Sequence, residues 1–192
     1  VGNTIVDAVE HFRKTMGLQA ETTPLVPVTL HRRENHAVMD ELFRGIETIA
    51  VENGDLEFVL PIHPNPNVQR HRHLLRAPNI RVIDPVGYPE MLRMMSRAAF
   101  LITDSGGIQE EATCFNKKVI IAREKTERPE VVEIGLGRLA GRELHREIPW
   151  ARIPPPQLEV SPYGDGQAAR KIVDILYEDH SKLALPKQGF KT

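Results

Sequence analysis

The 192-residue sequence is poor in thiols and rings: one cysteine, one tryptophan and 5% aromatic residues in all. A single thiol, Cys114, excludes an internal disulfide framework and fits a reducing, cytoplasmic setting. No apolar run reaches the roughly 18 residues of a membrane span, so no membrane partner is expected. Neither charge sign dominates: 25 Lys and Arg against 26 Asp and Glu give a formal net charge of -1. That balance provides no global field for nucleic acid or anionic lipid. The opening residues, Val1-Gly2-Asn3-Thr4, lack both an initiator Met and a basic-then-apolar leader, and so read as a fragment of a longer protein. There is no internal repeat or low-complexity tract; the nearest thing is the stiff connector Pro154-Pro155-Pro156.

What is present is an ordinary globular composition, 41% hydrophobic and 27% charged, in a length that suits one large domain. Thr4 to Met16 reads as a helix, with Ile5, Ala8, Val9 and Phe12 on one side. Short apolar runs then alternate with helical patterns. Strands are expected at Leu25–Leu30, Glu57–Ile62, Ile80–Ile83, Ala98–Ile102 and Lys118–Ala122, with a last short one at Arg138–Ala140. Helices are expected at 37–51, 67–75, 88–97, just after Gly107, and at 167–177. This alternation implies an α/β fold, a doubly wound parallel sheet flanked by helices. The ranges divide into an entering helix (1–20), the sheet domain (21–160), a C-terminal helix (161–180) and a loose tail (181–192). From Gly141 to Val160 the pattern weakens and yields no element.

In such a sheet the residues just past each strand gather along one rim. Here that rim receives His31-Arg32-Arg33-Glu34-Asn35, His63-Pro64-Asn65, Asp84-Pro85, Ser105-Gly106-Gly107 and 123–128. The run Thr103-Asp104-Ser105-Gly106-Gly107-Ile108-Gln109-Glu110-Glu111 carries the most information. A strand running through Ser-Gly-Gly into a helix offers free backbone N–H groups and about half a positive charge to an anion. Arginines that fork onto phosphate and carboxylates that accept from sugar hydroxyls surround it. An anionic, hydroxyl-rich ligand suits this set.

Each residue has a plainer reading beside this one. His31 also fits a strand-end residue bonded to nearby backbone. Arg32 and Arg33 point apart, so one of them is a solvated side chain. Asn35 fits an N-cap for the next helix, and His63 fits a rigid turn between prolines. Asp104 fits a turn-orienting role. Glu110 and Glu111 lie about 100° apart on a helix, so at most one faces a ligand. Met91, Met94 and Met95 read as core, and His71, Arg72 and His73 as a solvated helix face.

Taken in order and spacing, four motifs carry a resemblance: His31-Arg32-Arg33-Glu34-Asn35, Pro61-Ile62-His63-Pro64-Asn65-Pro66, Asp104 to Glu111, and Thr126-Glu127-Arg128-Pro129-Glu130. Together they resemble the UDP-N-acetylglucosamine 2-epimerases. Ser161-Pro162-Tyr163-Gly164-Asp165-Gly166 is similar to that family's last motif, and Gly2-Asn3-Thr4 to the segment entering its second domain. The resemblance covers 1–141 and again 161–177.

The resemblance implies a glycosyltransferase-B-like architecture of two Rossmann-like domains, of which this chain is the C-terminal, nucleotide-holding one. It implies that Ser105, Gly106 and Gly107 hold the diphosphate and that Glu111 accepts from the ribose hydroxyls. His31 would face diphosphate and sugar as the catalytic-side residue, Arg128 would lie near the sugar phosphate, and Asn35 would belong to the substrate-binding group. His63, with Arg32, resembles a position that helps hold a second, regulatory UDP-sugar. The implied reaction removes the C2 proton of the sugar as UDP leaves C1, then returns UDP to the glycal with the proton on the other face. A hydrolysing branch instead adds water and releases N-acetylmannosamine. No metal or organic cofactor is implied. The implied partners are the UDP-sugar, the absent N-terminal domain with its acid/base carboxylates, and a second subunit of a homodimer. The setting would be cytoplasmic synthesis of cell-surface polysaccharide. A glycosyltransferase of the same architecture and a non-catalytic UDP-sugar sensor compete with this reading.

Overall fold

The regularly spaced apolar runs become strands because alternate residues point to opposite faces and both faces are covered. The structure is a computed structural model and describes residues 1–182. Along the chain lie α1 (Thr4–Met16), β1 (Leu25–Thr29), α2 (Met39–Glu52), β2 (Glu57–Pro61), α3 (Pro66–Gln69), β3 (Ile80–Ile83) and α4 (Tyr88–Arg97). They are followed by β4 (Leu101–Thr103), α5 (Gly106–Thr113), β5 (Val119–Ile121), α6 (Pro129–Glu133), β6 (Gly137–Leu139), α7 (Ile148–Ala151) and α8 (Ala168–Lys182). The strands form one parallel sheet in the order β3-β2-β1-β4-β5-β6. Strand order reverses between β1 and β4, where Val28 pairs with Ile102 and Thr29 with Thr103.

Two cores sandwich the sheet. Val26, Val28, Ile102 and Ile120 face one core with Leu42, Phe43 and Ile46 of α2. Leu101, Val119 and Ile121 face the other with Val9 of α1, Leu92 and Met95 of α4, and Ala112 of α5. Phe43, Phe58, Phe100 and Phe115 are fully buried, and each such side chain contributes about 2 kcal/mol. Of the three methionines expected in the core, Met94 and Met95 are buried, and Met91 is partly buried against the second core.

The structure departs from the sequence reading at several points. The single helix expected at 67–75 is split into α3 and a separate 3₁₀ turn at Arg72–Leu74. His71, expected in solvent, is buried against the Phe43 ring with centroids 5.7 Å apart, which draws the chain inward at the split. Asn35 does not cap α2: a 3₁₀ turn at Arg33–Asn35 intervenes, and Val38 occupies the cap without a side-chain bond. The unassigned stretch 142–160 is ordered by burial of Leu144, Ile148 and Ala151. Two cations lie over the Trp150 ring, Lys118 Nζ at 4.6 Å and Arg138 Cζ at 4.8 Å from its centroid. α8 takes in residues 181 and 182, given to the tail from sequence; 183–192 lie outside the described residues.

The first and last parts of the domain touch. Asp7 of α1 accepts from Ala168 N and Ala169 N at 3.1 and 3.0 Å, capping α8 from another helix. Asn3 N donates to Tyr163 O at 2.7 Å. A Cβ on Gly164 would sit 3.1 Å from Gly2 Cα, so the crossing depends on glycine.

Gly137, at the start of β6, is similarly tight: a Cβ there would sit 2.9 Å from Val131 Cγ1 and 3.1 Å from Ile121 Cδ1. Gly137→Ala is expected to lower unfolding free energy by about 1–3 kcal/mol through overpacking. Urea unfolding followed by circular dichroism measures it, and an unchanged midpoint would refute the tight α6–β6 packing.

Candidate anion-binding site at the strand-order reversal

The reversal between β1 and β4 leaves a crevice at the carboxyl ends of the strands, and one carboxylate organises it. Asp104, fully buried, follows β4. It accepts from His31 N at 2.9 Å, Arg32 N at 2.9 Å and Asn35 Nδ2 at 3.0 Å. Asn35 Nδ2 also donates to Ala122 O at 2.9 Å. The Asn35 amide thus ties the loops after β1, β4 and β5 together; both its donors turn inward rather than toward the rim. The turn-orienting reading of Asp104 is what the structure shows.

On this base the backbone of α5 presents its donors. Ser105 N is satisfied by Thr103 Oγ1 at 3.0 Å, and Thr103 Oγ1 lies 2.5 Å from Thr29 Oγ1. Ser105 stands at the N-cap of α5, yet its hydroxyl makes no capping bond. The next N–H groups, of Gly106, Gly107 and Ile108, open the helix and have no intrahelical acceptor. Neither glycine has a positive φ; what they supply is room. A Cβ on Gly106 would lie 3.4 Å from Arg32 Nη2 and 3.9 Å from Arg128 Cζ. Two guanidinium groups therefore converge over the first turn of α5.

Beside them, His31 stacks on His63, centroids 5.4 Å apart and planes inclined 20°. Burial lowers the His31 pKa; Asp104, with Oδ1 3.6 Å from Nδ1, opposes this, while His63 and Arg32 reinforce it. An open cleft of about 560 Å³ is lined by His31, Arg32, Arg33, Glu34, His63 and Asn65. Arg123, just past β5, is buried and paired with both Glu34 and Glu127, clipping the β1 and β5 loops. Its hydrogen bonds hold the Glu127 carboxyl down to about 2.

Glu111 lies further along α5 and is 6% exposed. Burial pushes its carboxyl up to about 7; the Tyr88 hydroxyl opposes and Glu110 adds to the rise. Glu110 is also buried and pairs with Arg128. The structure thus brings His31, Arg32, His63, Ser105, Gly106, Gly107 and Arg128 to one rim, sets Glu111 behind them, and places Asn35 beneath. Sequence reasoning placed Arg123 on the rim without a specific role and left Glu110 beside Glu111 as one of two candidate ligand-facing acids. It gave Tyr88 no site role, and nothing local to Tyr88 signalled one. Among the described residues no cluster of His, Cys, Asp and Glu is placed to hold a metal ion, and no helix is long and apolar enough to cross a membrane.

A six-stranded parallel sheet in this strand order, covered by helices on both faces, defines a Rossmann-like α/β domain. The family model described as UDP-N-acetylglucosamine 2-epimerase matches residues 1–177. A Campylobacter jejuni relative of that name is 36% identical over 203 residues, covering 91% of this chain and 53% of its own length. The solved UDP-GlcNAc 2-epimerase of Neisseria meningitidis bound to UDP-GlcNAc superposes with a TM-score of 0.77 at 30% identity, covering 92% of this chain and 54% of that one. The Methanocaldococcus jannaschii enzyme in complex with UDP-GlcNAc and UDP gives 0.74 at 33%, covering 93% and 54%. The chain belongs to the UDP-N-acetylglucosamine 2-epimerase family. It spans about half the length of the curated relatives it matches.

The raised Glu111 carboxyl has a consequence for stability. Its folded value, about 7, exceeds its ordinary 4.5, so between those pH values the native state holds more protons than the unfolded one. Stability therefore falls as pH rises through that window. Glu111→Gln is expected to flatten the fall, match wild type near pH 5, and be more stable at pH 8 by up to about 3 kcal/mol. Denaturant titrations from pH 4.5 to 8 measure this; equal pH slopes in both proteins would refute it.

Proposed function

We propose that this chain is the UDP-sugar-binding half of an enzyme that interconverts UDP-GlcNAc and UDP-ManNAc. The observation that carries the reading is the convergence of Arg32 and Arg128 over Gly106, where the free N–H groups of α5 begin. A diphosphate leaving C1 of a sugar develops charge that such donors stabilise. In this reading Ser105, Gly106, Gly107 and Arg128 hold the diphosphate, and the ionised Glu111 accepts from two ribose hydroxyls. His31, kept neutral by burial, faces the sugar–phosphate bond across the cleft, and Asn35 positions the loop that carries it. His63, stacked on His31, couples that loop to any second UDP-sugar bound beside Arg32. The base that takes the C2 proton belongs to the remaining length of the relatives, and UDP returns to the glycal on completion. A cytoplasmic, dimeric enzyme is part of the same reading.

Calorimetric titration with UDP tests it. The wild-type chain is expected to bind, with Ser105→Ala weakening binding several-fold and Glu111→Ala about 10-fold or more, by loss of charge-assisted hydrogen bonds. Undiminished affinity in Glu111→Ala would remove the ribose assignment. A folded protein, tested at full length, that bound no UDP would remove the whole reading.

A further inference from the structure

The Arg128 side chain is tied at one edge and open at the other. Of its five N–H donors, Nε donates to Glu110, and Nη1 donates to Glu127 O at 3.0 Å. Nη2 has no acceptor among the described residues, and it lies 4.0 Å from the Cβ position of Gly106. The backbone beneath is also held: Arg128 N donates to Thr126 Oγ1 at 3.0 Å, and Thr126 Oγ1 donates to Gln109 Oε1 at 2.7 Å. Gln109 and Glu110 are consecutive buried residues of α5. Thus the helix whose N-terminus opens the site also fixes the loop that carries Arg128, once through the main chain and once through the side chain.

Glu110 is a costly choice for electrostatics alone. A buried carboxylate beside an anion site opposes the anion directly. Its geometry explains its presence. An arginine side chain carries about 2 kcal/mol of rotamer entropy, and the Nε contact removes the torsions that would let the guanidinium swing into solvent. We propose that Glu110 is a positioning residue that holds Arg128 with its Nη2 edge over the first turn of α5, ready for the phosphates of a nucleoside diphosphate. This inference rests on reading the site as a diphosphate cradle. It adds to that reading a buried acid that strengthens anion binding through the arginine it aims.

The sign of one substitution separates the two effects. Charge alone predicts that Glu110→Gln tightens UDP binding; positioning predicts that it weakens it. Titrations with UDP and with uridine on the wild-type chain, Glu110→Gln, Arg128→Ala and the double variant provide the test. Glu110→Gln is expected to bind UDP about 10-fold more weakly and uridine unchanged. In the Arg128→Ala background the same substitution is expected to leave UDP affinity unchanged or to tighten it, because nothing remains to position. Equal or tighter UDP binding by Glu110→Gln in the wild-type background would overturn the proposal, as would an equal loss for uridine. Should Glu110→Gln fail to fold by circular dichroism, Arg128→Lys takes its place. It keeps the charge but has no Nε to hold, and is expected to bind UDP as weakly as Arg128→Ala; wild-type affinity would overturn the proposal. A folded wild-type chain that binds uridine but not UDP removes the diphosphate reading itself, and the inference with it.

Discussion

The Asp104 carboxylate is the constraint on which the rest of the site depends. At a reversal of strand order, two neighbouring strands send their chains away on opposite faces, and the crevice between them has no main-chain ladder to close it. Asp104 closes it with side-chain oxygens, taking the N–H groups of His31 and Arg32 and the amide of Asn35. Satisfied burial is what makes this strong. Burying a polar group costs little only where hydrogen-bond donors converge on it, and here the donors belong to the loop whose side chains form the rim. The fold and the site therefore share their most buried polar group.

Around the first turn of α5 the acids lie beneath the bases. Carboxylates that anchor the rim, Asp104 and Glu110, are buried; guanidinium groups that line it, Arg32 and Arg128, reach the surface above Gly106. Overall charge is close to balanced, yet the local balance at the first turn of α5 favours an anion. The helix N-terminus adds to that field. Net charge alone hides this local concentration of cations.

Much of this was legible in the sequence because it is local. Short apolar strand runs, 3.6-period helices and the polar residues that end each strand are encoded within a few positions. Strand order was inferred only as a class; the place of β4 beside β1 depends on crossover connections and long-range burial. Pairings across distance were invisible for the same reason. Glu110 and Arg128 look like unrelated charges on a helix and a loop, and Asn35 looks like a cap because caps are local. His71 looked solvated from its charged neighbours, while Phe43 on a different element decided its burial. In 142–160 no period stands out, since three separate apolar contacts and the Trp150 ring hold the segment.

The crossing of the first and last helices, made by Asp7, Asn3 and the facing glycines Gly2 and Gly164, gives the domain a mechanical character. Positions about 160 residues apart in the chain meet at one corner, well away in sequence from every loop of the rim. One small corner thus holds both helices to the sheet domain. None of its residues takes part in the bonds that Asp104 holds, so the corner can loosen while the strand-order reversal stays closed.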